Sequence, residues 1–89
     1  MTKHEYYMNK LAEECGELVQ ITMKAKIFGI DNVNPKTNES NRDQLKKEMC
    51  DVLTSIKIIS EAYGIEITDE DMVARKEKMD HYYLVSQVK

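Results

Sequence analysis

Residues 11–29 read LAEECGELVQITMKAKIFG, and this stretch decides the fold. Its apolar residues recur every three or four positions, which is the spacing of one face of an α-helix at about 100° per residue. The alternation that a half-buried strand would show is absent. The stretch also carries Glu13, Glu14 and Glu17 within five residues. It therefore predicts a helix that has an acidic group on or beside its apolar face.

Working outward, few residues interrupt the helical pattern, because the chain has one proline and three glycines. Helices are predicted from Thr2 to about residue 27, from near Ser40 to residue 63, and from Thr68 to about residue 86. Gly64 ends the second helix, and residues 28–40 form a long loop. The predicted fold class is all-α, with two long antiparallel helices and a shorter third.

Each predicted helix has an apolar stripe, and the stripe of the third is the thinnest. An 89-residue chain is expected to form a single domain, residues 1–89, with a modest core. Small helical domains often complete such a core by self-association, so we expect a homo-oligomer. The predicted core positions are Tyr7, Leu11, Leu18, Ile21, Ala25, Leu45, Met49, Val52, Ile56, Ile59, Tyr63, Met72, Met79 and Tyr83.

Composition excludes several classes of protein. A net charge of −3 gives no electrostatic basis for binding nucleic acid or a membrane surface. No apolar run approaches the roughly 20 residues of a membrane span, and the first residues lack a signal peptide, so we expect a cytoplasmic protein. Cys15 and Cys50 are too few for a disulfide framework and lack the spacing of a zinc site.

The carboxylates of the first two helices are predicted to point inward. On a helical wheel Glu14 lies between Ile21 and Leu18, inside the apolar stripe. In the segment EMCD, residues 48–51, Glu48 lies within about 20° of Ile59. If the helices pack through their apolar faces, four carboxylates converge, namely Glu14, Glu17, Glu48 and Asp51.

Such a cluster needs compensation, because burying an unpaired carboxylate costs several kcal/mol. Nearby lysines at positions 24, 46 and 47 could supply it, and a hard divalent cation fits better. Ligands that are all oxygen select magnesium, manganese or calcium over zinc. A di-iron centre is excluded, because it needs Glu-x-x-His pairs that the sequence lacks. The alternative interpretation is that these acidic residues form a solvent-exposed helix face without a ligand.

The order of these motifs resembles a known family. EExxE at 13–17 and ExxD at 48–51 are the signature of the MazG-like all-α nucleoside triphosphate pyrophosphohydrolases. Residues 11–29 together with SNRDQLKKEMCDVL, residues 40–53, are most similar to the short MazG-like proteins of bacteriophages. ARKEKMDHYY, residues 74–83, resembles their basic third helix. The similarity covers nearly the whole chain.

The resemblance implies an enzyme that splits a nucleoside triphosphate between the α and β phosphates, using Mg²⁺ or, as a substitute, Mn²⁺. It implies a homodimer or homotetramer in a bacterial or phage-infected cell. By motif position, Glu14, Glu17, Glu48 and Asp51 would be metal ligands, and Glu13 would assist a second ion or orient the water. The residues expected to bind phosphate or substrate are Arg75, Lys78, Lys24 and Asn41.

Two other functions stay open at this point. The chain could be a catalytically inactive helical dimer that binds nucleotide or a protein partner. It could also be a structural bundle in which the acids form salt bridges, although a buried ion-pair network seldom stabilises a fold. An inactive relative would have no reason to keep four costly inward carboxylates, which favours the enzyme.

Overall fold

The computed structural model describes residues 1–88, and this part of the chain forms three α-helices and one short β-hairpin. Helix α1 spans Lys3–Phe28, α2 spans Asn41–Tyr63 and α3 spans Asp69–Ser86. Strand β1, Val33–Asn34, pairs antiparallel with β2, Glu39–Ser40. The predicted all-α class and the bounds of all three helices are confirmed.

Side-chain caps explain why each helix begins where it does. The hydroxyls of Thr2 and Ser40 each accept a hydrogen bond from the backbone N–H three residues on. At α3, Thr68 and Asp71 cap each other reciprocally, which satisfies two backbone donors at the start of the helix. Gly64 ends α2 in the left-handed conformation, with φ of 65°, where a side chain would be strained.

Helices α1 and α2 form an antiparallel hairpin. The C-terminal end of α2 meets the N-terminal end of α1, where the Tyr63 hydroxyl donates to the Met8 sulfur at 3.5 Å. At the other end, the Asn41 side-chain amide donates to the Gly29 carbonyl at 2.9 Å. The seam between the two helices contains the small core of the described chain, whose buried apolar residues are Ile21, Ala25 and Val52.

The connection between α1 and α2 is more ordered than the sequence suggests. It was predicted as loop, yet it contains the β1–β2 hairpin, with Asn38 at a positive φ of 58°. Backbone hydrogen bonds from Asn41 to Asn32 and from Arg42 to Ile30 fasten it to the start of α2. Strands of two residues are too short to show the alternation by which a strand is recognised in a sequence.

Helix α3 does not pack as predicted. The stripe formed by Met72, Met79 and Tyr83 was expected in the core, and its side chains are 62–68% exposed. Met49 and Tyr63 of α2 are also about half exposed. Within residues 1–88 no side-chain hydrogen bond or salt bridge joins α3 to the hairpin. The radius of gyration is 16.3 Å, against about 12 Å for a compact chain of this length.

The hairpin has two broad sides, and the side opposite Glu17 and Asp51 is apolar. Its exposed residues are four or eleven positions apart within each helix, which are about one and three helical turns, so they form two adjacent stripes. No helix within residues 1–88 is long and apolar enough to cross a membrane. We call this side the apolar face, and it consists of Met8, Val19, Met23, Met49 and Leu53.

Candidate metal centre

The two long helices bring five carboxylates together near the middle of the hairpin. Glu14 of α1 and Glu48 of α2 both face the seam and are half-buried. The other three stand one helical turn or less away and are exposed, so they surround the buried pair on its open side. Their positions follow from the motif spacing, and they are Glu13, Glu17 and Asp51.

These carboxylates form two overlapping groups of possible metal ligands. One group is Glu13, Glu14 and Glu17, and the other is Glu14, Glu48 and Asp51. Within each group, one oxygen from every member lies within 4.8 Å of the others. Glu14 belongs to both groups. The structure therefore brings together all five acidic residues that the sequence singled out.

The buried pair is electrostatically unfavourable as it stands. One oxygen of Glu14 and one of Glu48 are buried without a hydrogen-bond partner in the described chain. Burial, together with the neighbouring Glu14 and Glu17 carboxyls, raises the pKa of Glu48 from 4.5 to about 7. A site with this pKa favours the binding of a cation or a proton.

No lysine or arginine within residues 1–88 forms a salt bridge with Glu14 or Glu48. Lys10 lies 3.5 Å from Glu13, at the exposed edge of the cluster. Lys47, one of the lysines expected to compensate the cluster, pairs instead with Glu39 of the β-hairpin. A donor set made only of carboxylate oxygens, with two buried oxygens unpaired, fits a hard divalent cation such as Mg²⁺.

Two cavities of ≈ 300 Å³ each open beside the carboxylates on the same side of the hairpin. The first, toward the C-terminal end of α1, is bordered by Glu17 and Glu48. Its remaining polar lining is Gln20, Lys24 and Gln44. The second, toward the N-terminal end of α1, is bordered by Glu14 and Asp51, and its further lining is Tyr6, Tyr7, Lys10, Thr54 and Ser55.

Sequence reasoning missed most of the cavity residues. Gln20 follows Glu17 by three positions, Gln44 precedes Glu48 by four, and Ser55 follows Asp51 by four. These are the spacings at which helical neighbours share a face. Spacing from the motif carboxylates could therefore have identified them.

The residues expected to bind phosphate lie in different places. Lys24 lines the first cavity and is half-buried. Asn41 is 1% exposed, and its amide is occupied with the Gly29 carbonyl, so it fastens the loop. Arg75 and Lys78 lie on the exposed helix α3, where the Lys78 ammonium is 5.9 Å from the centre of the Tyr82 ring. The structure therefore brings only Lys24 to the cluster.

The chain is similar to one family of known proteins. A model of the MazG nucleotide pyrophosphohydrolase domain matches residues 2–81, which covers both acidic motifs and most of α3. No curated protein and no solved structure matches the chain.

Proposed function

Because the chain belongs to the MazG nucleotide pyrophosphohydrolase family, we propose that it is a nucleoside triphosphate pyrophosphohydrolase. The reaction is hydrolysis between the α and β phosphates, and the products are a nucleoside monophosphate and pyrophosphate. The observation that carries this proposal is the cluster of five carboxylates with two buried, unpartnered oxygens. Without a cation, this cluster costs free energy because its buried carboxylates repel one another. With a divalent cation bound, the same carboxylates would be the metal ligands that an enzyme acting on phosphates requires.

The metal ligands proposed are Glu14, Glu17, Glu48 and Asp51, with Mg²⁺ as the ion and Mn²⁺ as a substitute. A bound divalent cation offsets charge on phosphate oxygens and lowers the pKa of a bound water. Glu13 lies at the edge of the cluster, where its carboxylate forms an ion pair with the Lys10 ammonium group. We assign Glu13 to orienting the attacking water, since its carboxylate is exposed and close to the shared ligand Glu14.

Charge on the pyrophosphate leaving group also needs a cation from the protein. Lys24 is suited to this task, because it is half-buried beside the cluster and makes no salt bridge within residues 1–88. Arg75 and Lys78 are proposed to assist it only in an assembly that brings α3 to the site. Hydrolysis by water needs no covalent nucleophile, so Cys15 and Cys50 have no assigned role.

We further propose that the single domain works as a homodimer or homotetramer. The accessible surface is 7470 Å², against about 5,400 Å² for a monomeric protein of this mass. The difference of about 2,000 Å² is larger than the roughly 800 Å² that each partner buries in a standard interface. The apolar face and the fully exposed α3 supply this surplus, and a second copy is the proposed occupant.

The test compares the wild type with Glu48→Gln and with the control Glu66→Gln, which changes an exposed carboxylate outside the cluster. Pyrophosphate released from nucleoside triphosphates is measured with Mg²⁺, with Mn²⁺ and with EDTA. We expect Glu48→Gln to lose at least about 100-fold in rate, because changes merely behind a metal ligand already cost 10–100-fold. Glu66→Gln should retain activity, and EDTA should abolish it.

Release that persists in EDTA would contradict the proposal. So would a Glu48→Gln variant that is folded and as active as the control. A folded wild-type protein that releases no pyrophosphate from any nucleotide would instead support the catalytically inactive binding protein.

A further inference from the structure

The two cavities lie on opposite sides of the carboxylate cluster along the hairpin, the first beside Glu17 and Glu48 and the second beside Glu14 and Asp51. In an antiparallel hairpin, residues after Glu17 in α1 lie beside residues before Glu48 in α2. Residues before Glu14 likewise lie beside residues after Asp51. Lys24 lies seven residues after Glu17, and Tyr7 lies seven residues before Glu14, which is about 10 Å along the helix axis in each case. A ligand that crosses the cluster could therefore reach both cavities.

The chemistry of the first cavity suits phosphate oxygens. Lys24 is a half-buried residue, and its ammonium group makes no salt bridge among the described residues. Gln20 and Gln44 add side-chain amide donors from the two facing helices. This cavity has no aromatic side chain in its lining.

The chemistry of the second cavity suits an uncharged planar group. Tyr6 and Tyr7 form an edge-to-face pair, with ring centroids 5.3 Å apart and an angle of 83° between the rings. Tyr6 is 47% exposed, so much of its ring is free to make contacts. The hydroxyls of Thr54 and Ser55 lie across the cavity on α2. The one cation here, Lys10, is already paired with Glu13.

We propose that the nucleobase and sugar of the substrate bind in the second cavity, against Tyr6 and Tyr7, while the pyrophosphate part lies in the first, against Lys24. This inference rests on the proposed function, because it orients the same substrate across the same carboxylates. Base stacking on an aromatic ring accepts any base, so the hydroxyls of Thr54 and Ser55 are the groups that discriminate among base edges or sugars.

The test separates contacts to the nucleoside from contacts to the phosphates. KM and kcat are measured for the four common deoxynucleoside triphosphates, and inorganic tripolyphosphate, which has no nucleoside, is measured as a competitive inhibitor. Tyr6→Leu should raise KM about tenfold, the size of a lost base stack, and leave the inhibition constant of tripolyphosphate within twofold. Tyr6→Phe, which keeps the ring, should restore KM.

The first cavity supplies the matched variants. Lys24→Gln should weaken nucleotide and tripolyphosphate alike, without changing the ranking of the four bases. If Tyr6→Leu leaves KM unchanged, or if Gln20→Ala or Gln44→Ala reorders the ranking of the bases, the assignment of the two ends is overturned. Circular dichroism and melting confirm that each variant is folded.

Calorimetry measures the affinity of the wild type and of Tyr6→Leu for the four deoxynucleoside monophosphates. This measurement distinguishes failure of this inference from failure of the proposed function. An inactive wild type whose binding depends on Tyr6 would sustain the nucleoside site and overturn the hydrolase. If the wild type is active but binds the monophosphates as tightly as the Tyr6→Leu variant does, only the nucleoside site is overturned. A wild type that neither turns over nor binds nucleotides would overturn both.

Discussion

Glu48 illustrates how one residue position can be poor for stability and useful for function. Its side chain is half-buried in the helix seam, with one oxygen unpartnered in the described chain and two carboxylates close by. Both burial and repulsion disfavour its charged form. A divalent cation would remove both penalties, since it replaces the lost solvation and screens the like charges.

The raised pKa of Glu48 predicts that the metal-free protein becomes less stable as pH rises. The pKa is about 7 in the folded protein and 4.5 when unperturbed, so its stabilising contribution is present below about pH 4.5 and is lost as pH rises through 7. The full shift corresponds to about 3 kcal/mol, which solvent at this half-buried group reduces to about 1 kcal/mol.

Thermal melting in EDTA at pH 5.5 and pH 8 measures the effect, with Glu48→Gln as the comparison. At pH 8 the glutamine variant should melt about 4–8 °C above the wild type, and the gap should shrink at pH 5.5. A variant that is much less stable than the wild type at both values would instead favour the structural salt-bridge bundle.

The metal-centre residues and Lys24 were predicted from the sequence, whereas most of the other residues that line the cavities were missed. Motif spacing and the helical wheel place Glu14 and Glu48 inward, since helix geometry fixes where a side chain lies around its own axis. Which residues face one another across two helices depends on their relative register, which no single-helix pattern contains. Tyr6, which lies eight residues before Glu14, was missed for that reason.

At the scale of elements, the helices were predictable because their end signals are local. Thr2, Ser40 and Thr68 cap the three helices through bonds to residues three positions on, and Gly64 ends α2 through its own backbone conformation. The β1–β2 hairpin and the exposure of α3 were not predictable. The first is too short to leave a pattern, and the second depends on tertiary packing.

The connection between α1 and α2 should owe much of its stability to Asn41. Its side chain is almost fully buried and donates to the Gly29 carbonyl at 2.9 Å. We expect Asn41→Ala to cost about 1–3 kcal/mol, because the Gly29 carbonyl would keep only its longer bond from the Asn32 N–H, at 3.3 Å, and a small void is left. The measurement is urea unfolding.

Asn32→Ala is the matched control, because this side chain is exposed and the residue contributes through its backbone carbonyl. Its effect should stay within about 0.5 kcal/mol. Equal losses for the two variants would mean that the Asn41 side chain does not fasten the loop.

At the scale of the whole molecule, the described chain leaves too much surface uncovered for a small core. Among residues 1–88, only Ile21, Ala25 and Val52 are buried apolar residues, while the apolar face and all of α3 are exposed. A helix without packing partners is marginal in water. The proposed homo-oligomer would account for the exposed apolar surface, because a second copy would cover what one copy cannot bury.

A charge placed in the apolar face should therefore break the assembly. Leu53→Glu introduces a carboxylate at a 62% exposed leucine, so it should cost a monomer little and an interface several kcal/mol. Asn9→Glu adds the same charge on the exposed outer side of α1 and serves as the control. Light scattering after gel filtration should show a smaller species for Leu53→Glu only. A wild type that is already monomeric would contradict the proposal.

The most direct test of the central claim is to identify the products by ³¹P nuclear magnetic resonance. Wild-type protein is incubated with a panel of nucleoside and deoxynucleoside triphosphates and Mg²⁺, with and without EDTA. The account predicts equal amounts of nucleoside monophosphate and pyrophosphate from at least one of them, and no product in EDTA. A nucleoside diphosphate with orthophosphate, or unchanged substrate across the panel with folded protein, would contradict it.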